Sequence, residues 1–234
     1  MDTFIKLNNQ TAGRDKLIRT LQYGSRAYWF YTQNKKSSTY SADVLKSLEY
    51  TFSSFRKLLR LGRFLDSLYA ALSTVKYPNI ILRITLTLSK IANALFLLAD
   101  HILWIGRVGI VQVDVSKWSS IANRYWLMML TMNLSRDFYE ILQILKDSRS
   151  SLMWRRVGSS NYSVLKYYSQ VFSLLKERTD IVSDTIKNAC DIFIPLTALG
   201  YTKLSPGAVG LLGVISSLVG LYTLVDSSAK LVPS

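Results

Sequence analysis

Between Lys203 and Asp226 the chain carries no charged residue, reading LSPGAVGLLGVISSLVGLYTLV. As a helix this run reaches about 33 Å, enough to cross a hydrocarbon core of about 30 Å. Its leucines, valines and isoleucine favour insertion by about 0.3 to 0.6 kcal/mol each and outweigh the glycines and serines between them. Gly213 and Ser217 stand four apart, as do Ser216 and Gly220. That spacing lets helix backbones approach closely in lipid, so these four residues are the expected self-association positions. The segment from 204 to 226 is therefore read as a C-terminal transmembrane helix. A buried hairpin in a soluble core is the other structure that such a run could form.

The remaining residues, 1 to 200, are expected to form one helical, membrane-associated region. Lys and Arg number 29 against 15 Asp and Glu, a net charge of +14, while 49% of residues are hydrophobic and the mean hydropathy is +0.17. Strongly basic but net apolar composition fits an anionic membrane surface better than a soluble nucleic-acid binder. The single cysteine, Cys190, allows no internal disulfide. The first sixteen residues hold no apolar run of signal-peptide length.

Helical periodicity dominates and the predicted class is all-α. Helices are predicted over about Thr3–Thr32, Ala42–Val75, Ile80–Trp104, Ser116–Lys146 and Tyr162–Phe193, the last interrupted by Pro195. NKKSSTYS (34–41) is read as a connector and DSRSSLMWRRVGSSN (147–161) as an exposed basic loop. The region 80–106 is a second candidate membrane segment, but it carries Arg83, Lys90 and Asp100, and its longest uncharged run is only Ile91 to Ala99. A charge at a span centre costs about 2.5 to 3.5 kcal/mol on the insertion scale. Either a poor span or a helix packed on its neighbours satisfies this pattern.

YTFSSFRKLLRLGRF (50–64) lies in an amphipathic stretch of about 48–72. On a helical wheel Arg56, Lys57, Arg60 and Arg63 share an arc of about 120°, with Phe52, Phe55, Leu58, Leu59 and Leu65 on the other side. This is the pattern of a helix lying in the membrane interface, and these nine residues are the expected lipid-binding positions. A bundle helix with an inward apolar face and solvated arginines shows the same periodicity.

Enzymatic chemistry finds no footing. GAVGLLG lacks the lysine and preceding strand of a phosphate-binding loop. His101 and Cys190 are single and far apart, too few for a metal cluster or a recognisable triad. A structural role is expected for His101, and local ion pairing for Arg136, Asp137 and Glu140. No cofactor is expected, and no nucleic-acid motif accompanies the basic residues.

RKLLRLGR (56–63), ANALFLLADHILWIGRVG (92–109), RYWLMMLTMNLSRDFYEI (124–141), NACDIFIPLTALG (188–200) and GAVGLLGVISSLVGLYTL (207–224) resemble, in this order, the peroxin-eleven family of peroxisomal membrane proteins, most like its animal beta form. The resemblance implies an integral protein of the peroxisomal membrane that elongates the organelle before fission. It implies shallow insertion of an amphipathic helix and self-association. It further implies assembly with the fission adaptor and the dynamin-related GTPase, and delivery by the chaperone of peroxisomal membrane proteins. The alternative it carries is a pore for small metabolites, with Arg83, Lys90 and Asp100 lining an aqueous path. A pure adaptor that recruits the fission machinery without bending lipid is the third reading.

Overall fold

The computed structural model describes residue 5 and residues 7–33, 39–156, 172–174 and 176–232. Its long helices are α1 (Thr11–Gln33), α2 (Thr39–Leu59), α3 (Arg63–Thr74), α4 (Ile80–Val108), α5 (Val115–Arg156), α6 (Thr179–Ala198) and α7 (Pro206–Val225), followed by a short 3₁₀ turn, Ser227–Ala229. The all-α class holds: no strand occurs among the described residues. The helices pack as a closed ring. α1 lies between α2 and α7, α7 packs on α6, α6 on α5, and α5 on α4, while α4 meets both α3 and α2.

Local chemistry explains most boundaries and corrects several expectations. The predicted helix 42–75 breaks in two at Gly62, whose φ of 79° suits glycine and not a side-chain-bearing residue. Short-range bonds from Arg60 N to Lys57 O and from Leu61 N to Leu58 O tighten the end of α2 before that turn. Asn79 Oδ1 accepts from Ile81 N and caps α4. That helix extends past the predicted Trp104 to Val108, where Gly109 ends it at a φ of 83°, a left-handed C-terminal residue of the kind glycine supplies. The cap of α5 is Asp114, through Lys117 N, and not Ser116. α5 runs on as helix through residues 147–156, where a loop was expected. Residues 157–161 of that loop lie outside the described part, as do Thr3 at the predicted start of the first helix, connector residues 34–38 and the predicted helix start at 162–171. Pro195 sits inside α6 instead of ending it. It lies one turn from the C-terminus, where its missing N–H removes one helical bond, and Leu199 N still bonds to Pro195 O.

α7 behaves as the sequence predicts. Pro206 starts it, Ser205 Oγ accepts from Ala208 N, and Asp226 ends it. Both α4 and α7 are long and apolar enough to cross a membrane.

Candidate functional site inside the helical ring

The ring buries a charged network beside two small hydrophobic clusters and turns apolar side chains outward. On α7 the outward residues are Leu211, Ile215, Leu218, Tyr222 and Val225, all exposed, while Gly210, Gly213, Ser216, Ser217 and Gly220 are buried. α4 repeats the pattern, with Ile80, Ile84, Ile91, Leu95 and Leu98 exposed and Ser89 and Asp100 buried. In water such surfaces would be a large liability; next to lipid tails they are the expected outer face.

α2 and α3 sort in the same way. Phe55, Leu58, Leu65, Leu68 and Leu72 are exposed, Leu65 at 60%, whereas Arg56 and Lys57 are only 8% and 9% exposed. Phe52, Leu59, Arg60 and Arg63 are half-buried. The apolar face thus does not seal the bundle; the cationic face does. Arg56 Nε donates to Asp15 Oδ1 at 3.1 Å, and its Nη1 donates to Gln22 Oε1 at 2.8 Å. Arg60 reaches Asp15 through Nε and Asp100 Oδ2 through Nη1, both at 3.3 Å. Lys57 pairs with Asp100, and Arg19 with Asp191. The Asp15 and Asp100 carboxylates thereby tie α1, α2 and α4 together. Burial alone would raise the Asp15 carboxyl, but Arg56 and Arg60 beside it outweigh burial and hold it well below the usual carboxylate range.

These groups line a cavity of about 600 Å³ to which α1, α2, α4, α5 and α6 all contribute. Eleven Lys and Arg side chains face four Asp among its lining residues. Arg19, Arg56, Lys57, Arg60 and Lys187 pair with those carboxylates and Arg26 pairs with Glu49, but the others form no ion pair among the described residues. Lys16 has no carboxylate at ion-pair distance among the described residues, and it rests its side chain on Gly220 of α7. Burial, with Arg19 adding to it, pushes the Lys16 amine down to about 7, because both disfavour the charged form. Arg136, only 4% exposed, has Nε and Nη2 without partners among the described residues. Its neighbour Asp137 accepts from Asn188 Nδ2 across 2.9 Å, and burial, with Asp184 nearby, pushes the Asp137 carboxyl up.

The expected local ion pairing of Arg136 with Asp137 or Glu140 does not form among the described residues; Asp137 turns instead to α6. His101 is structural, its Nε2 within 2.9 Å of Arg60 O and its ring edge-on to Phe64. Gly213, Ser216, Ser217 and Gly220, expected to face a second copy, are buried within the chain. A Cβ on Gly213 would run into the Tyr23 ring of α1, so the close approach their small side chains permit is made to α1. The roles of Asp15, Gln22 and Asn188 escaped sequence reasoning. Single polar residues on separate helices give no local spacing signal, although Asp15 and Asp191 are conspicuous as lone acids in a basic chain.

A ring of helices, two of them long and apolar enough to cross a membrane, with a lipid-compatible outer surface and a buried charge network, fits a helical integral membrane protein. The Peroxisomal biogenesis factor 11 (PEX11) family model matches residues 1–225, and the chain belongs to that family. It is 34% identical over 260 residues to human Peroxisomal membrane protein 11B, covering 100% of both chains. It is 32% identical to human Peroxisomal membrane protein 11A, with 99% of each covered, and 27% identical to the Dictyostelium discoideum homolog, with 95% and 93% covered. No solved structure matches it. The chain is a peroxisomal membrane protein.

Proposed function

We propose that this chain remodels and elongates the peroxisomal membrane to promote peroxisome fission and proliferation. The observation that carries this reading is the exposed apolar stripe Phe55, Leu58, Leu65, Leu68 and Leu72, which runs along α2 and α3 while Arg56, Lys57 and Arg60 are held inside the ring. Such a stripe enters one leaflet to the depth of the headgroup–acyl boundary and adds area there. α4 and α7 anchor the chain in the bilayer, so every copy presents its stripe at a fixed depth. Many copies gathered side by side multiply the area difference between leaflets and curve the membrane. The family resemblance supports self-association, delivery by the membrane-protein chaperone, and recruitment of the fission adaptor and the dynamin-related GTPase to the elongated membrane. An anionic lipid surface suits the net charge of +14.

The test is the full chain reconstituted in liposomes containing anionic phospholipid, imaged by electron microscopy. Wild-type protein should draw tubules. The double variant Leu65→Lys with Leu72→Lys should keep its helical melt and lose tubulation. Undiminished tubulation by that variant would remove the mechanism.

The second reading, passage of small metabolites, is favoured by one feature: a polar cavity of about 600 Å³ bordered by a candidate span. Lys90 and Asp100 of α4 line it, as that reading requires, whereas Arg83 does not. Conductance across planar bilayers that falls on neutralising Lys90 supports it; a silent bilayer counts against it.

A further inference from the structure

One part of the cavity wall holds more positive charge than its own residues balance. Arg136 of α5 lines the cavity, is almost wholly buried, and leaves two guanidinium nitrogens, Nε and Nη2, without an acceptor among the described residues. Lys90 of α4 lines the same cavity, makes no ion pair among the described residues, and feels the positive charges of Lys230, Arg136 and Lys187 more than the negative charge of Asp184. Lys187 of α6 completes the cluster from a third helix, and its own carboxylate partner is Asp184. Asp137 offsets Arg136 only in part, because burial and the neighbouring Asp184 push its carboxyl up to about 7. Asn188, wholly buried at the same place, donates through Nδ2 to both carboxyls and leaves Oδ1 unpartnered.

Like charges clustered in a low-dielectric interior repel, and a buried guanidinium with free N–H groups is costly unless an acceptor arrives. The planar fork of arginine fits two oxygens of a carboxylate or phosphate side by side. A carboxylate brings one negative charge and two oxygens to a cluster of three cations. A phosphate group has further oxygens for the ammonium groups and a second negative charge to share with them. The cavity, at about 600 Å³, has the size of an ordinary small-ligand site.

We propose that Arg136, Lys90 and Lys187 form a binding site for a phosphate-bearing anion, supplied either as the headgroup of an anionic lipid or as a soluble phosphate ester. The site stands on the cavity wall and does not depend on whether solutes pass through the protein or on how α2 and α3 engage lipid.

Two arms using the full-length protein separate the sources. In nanodiscs of phosphatidylcholine alone, calorimetric titration with glycerol 3-phosphate reports a soluble ligand. In nanodiscs doped with phosphatidic acid, native mass spectrometry of the released protein reports a retained lipid. Saturable binding in at least one arm is expected, with about a tenfold or greater loss for Arg136→Gln, the effect of removing one bidentate charged contact. Lys90→Gln, on a different helix, should weaken binding in the same arm and guards against misfolding of the first variant. Arg136→Lys should fall between wild type and Arg136→Gln. Arg83→Gln, outside the cavity wall, should bind as wild type does. The proposal is overturned if wild-type protein binds in neither arm, or if binding survives unchanged in folded Arg136→Gln and Lys90→Gln.

Discussion

α7 and the α2–α3 pair both turn apolar side chains outward, yet what they bury is opposite in kind. α7 hides glycines and serines, so that its backbone closes on Tyr23 and Ala27 of α1. α2 hides arginine and lysine, held by Asp15 and Asp100. Contact in the first case is van der Waals packing at short backbone distance; in the second it is charge pairing that fails if one partner goes. Lipid contact therefore sets the outer pattern of a helix and leaves its inner chemistry free to differ.

The comparison breaks most readily at the charge network. Asp100→Ala leaves Lys57 and Arg60 facing each other in the interior. It should destabilise the protein by about 3 to 5 kcal/mol, read as a lower melting temperature in detergent. Replacing Asp100 with alanine at no cost would show that the pairing does not hold α2 against α4. Next comes Gly213→Leu, which drives a side chain into the Tyr23 ring. It should cost about 1 to 3 kcal/mol, and adding Tyr23→Ala should return part of that. No recovery in the double variant would place the strain elsewhere.

A smaller effect is expected of pH. The Lys16 amine is held near about 7 in the folded chain but titrates near about 10.4 when unfolded. Between those values the unfolded chain binds more protons, so stability should rise as pH climbs from about 7 toward about 10. Lys16→Met should flatten that slope in melts taken across the range. The least effect belongs to the outer faces. Leu65 and Ile215 are exposed, and neither side chain is packed inside. Changing either to alanine should therefore shift stability in detergent by only a few tenths of a kcal/mol, as surface substitutions do. A large loss at either would mean that the face is covered.

Much of this was legible in the sequence. The uncharged run 204–225 announced the helix α7, and the wheel over 48–72 separated the apolar from the cationic residues of α2 and α3 without showing the break at Gly62. What the wheel could not supply was direction. A stripe of arginines reads alike whether it meets water, headgroups or buried aspartates, since its carboxylate partners lie about 40 or more residues away, at Asp15 and Asp100. Gly213 and Gly220 posed the same ambiguity: small residues announce a close neighbour without saying whether it belongs to the same chain. Charges inside α4 looked like a defect in a span. Lys90 and Asp100 lie on the face toward the cavity, and the opposite face is left to isoleucine and leucine. Arg136 and Asp137 were assigned to each other by proximity in sequence, whereas burial and Asn188, 51 residues further on, decide what Asp137 meets.

The orientation of α2 and α3 is tested most directly by nitroxide labels on the full chain in bilayers, in a Cys190→Ser background. Labels at Leu65→Cys and Leu72→Cys should be relaxed strongly by dissolved oxygen and weakly by a water-soluble nickel chelate, while one at Ser53→Cys, on the cavity wall, should show no such lipid signature. Strong chelate access at Leu65 and Leu72, with oxygen-rich surroundings at Ser53, would mean that the charged face meets the lipid and the apolar face does not.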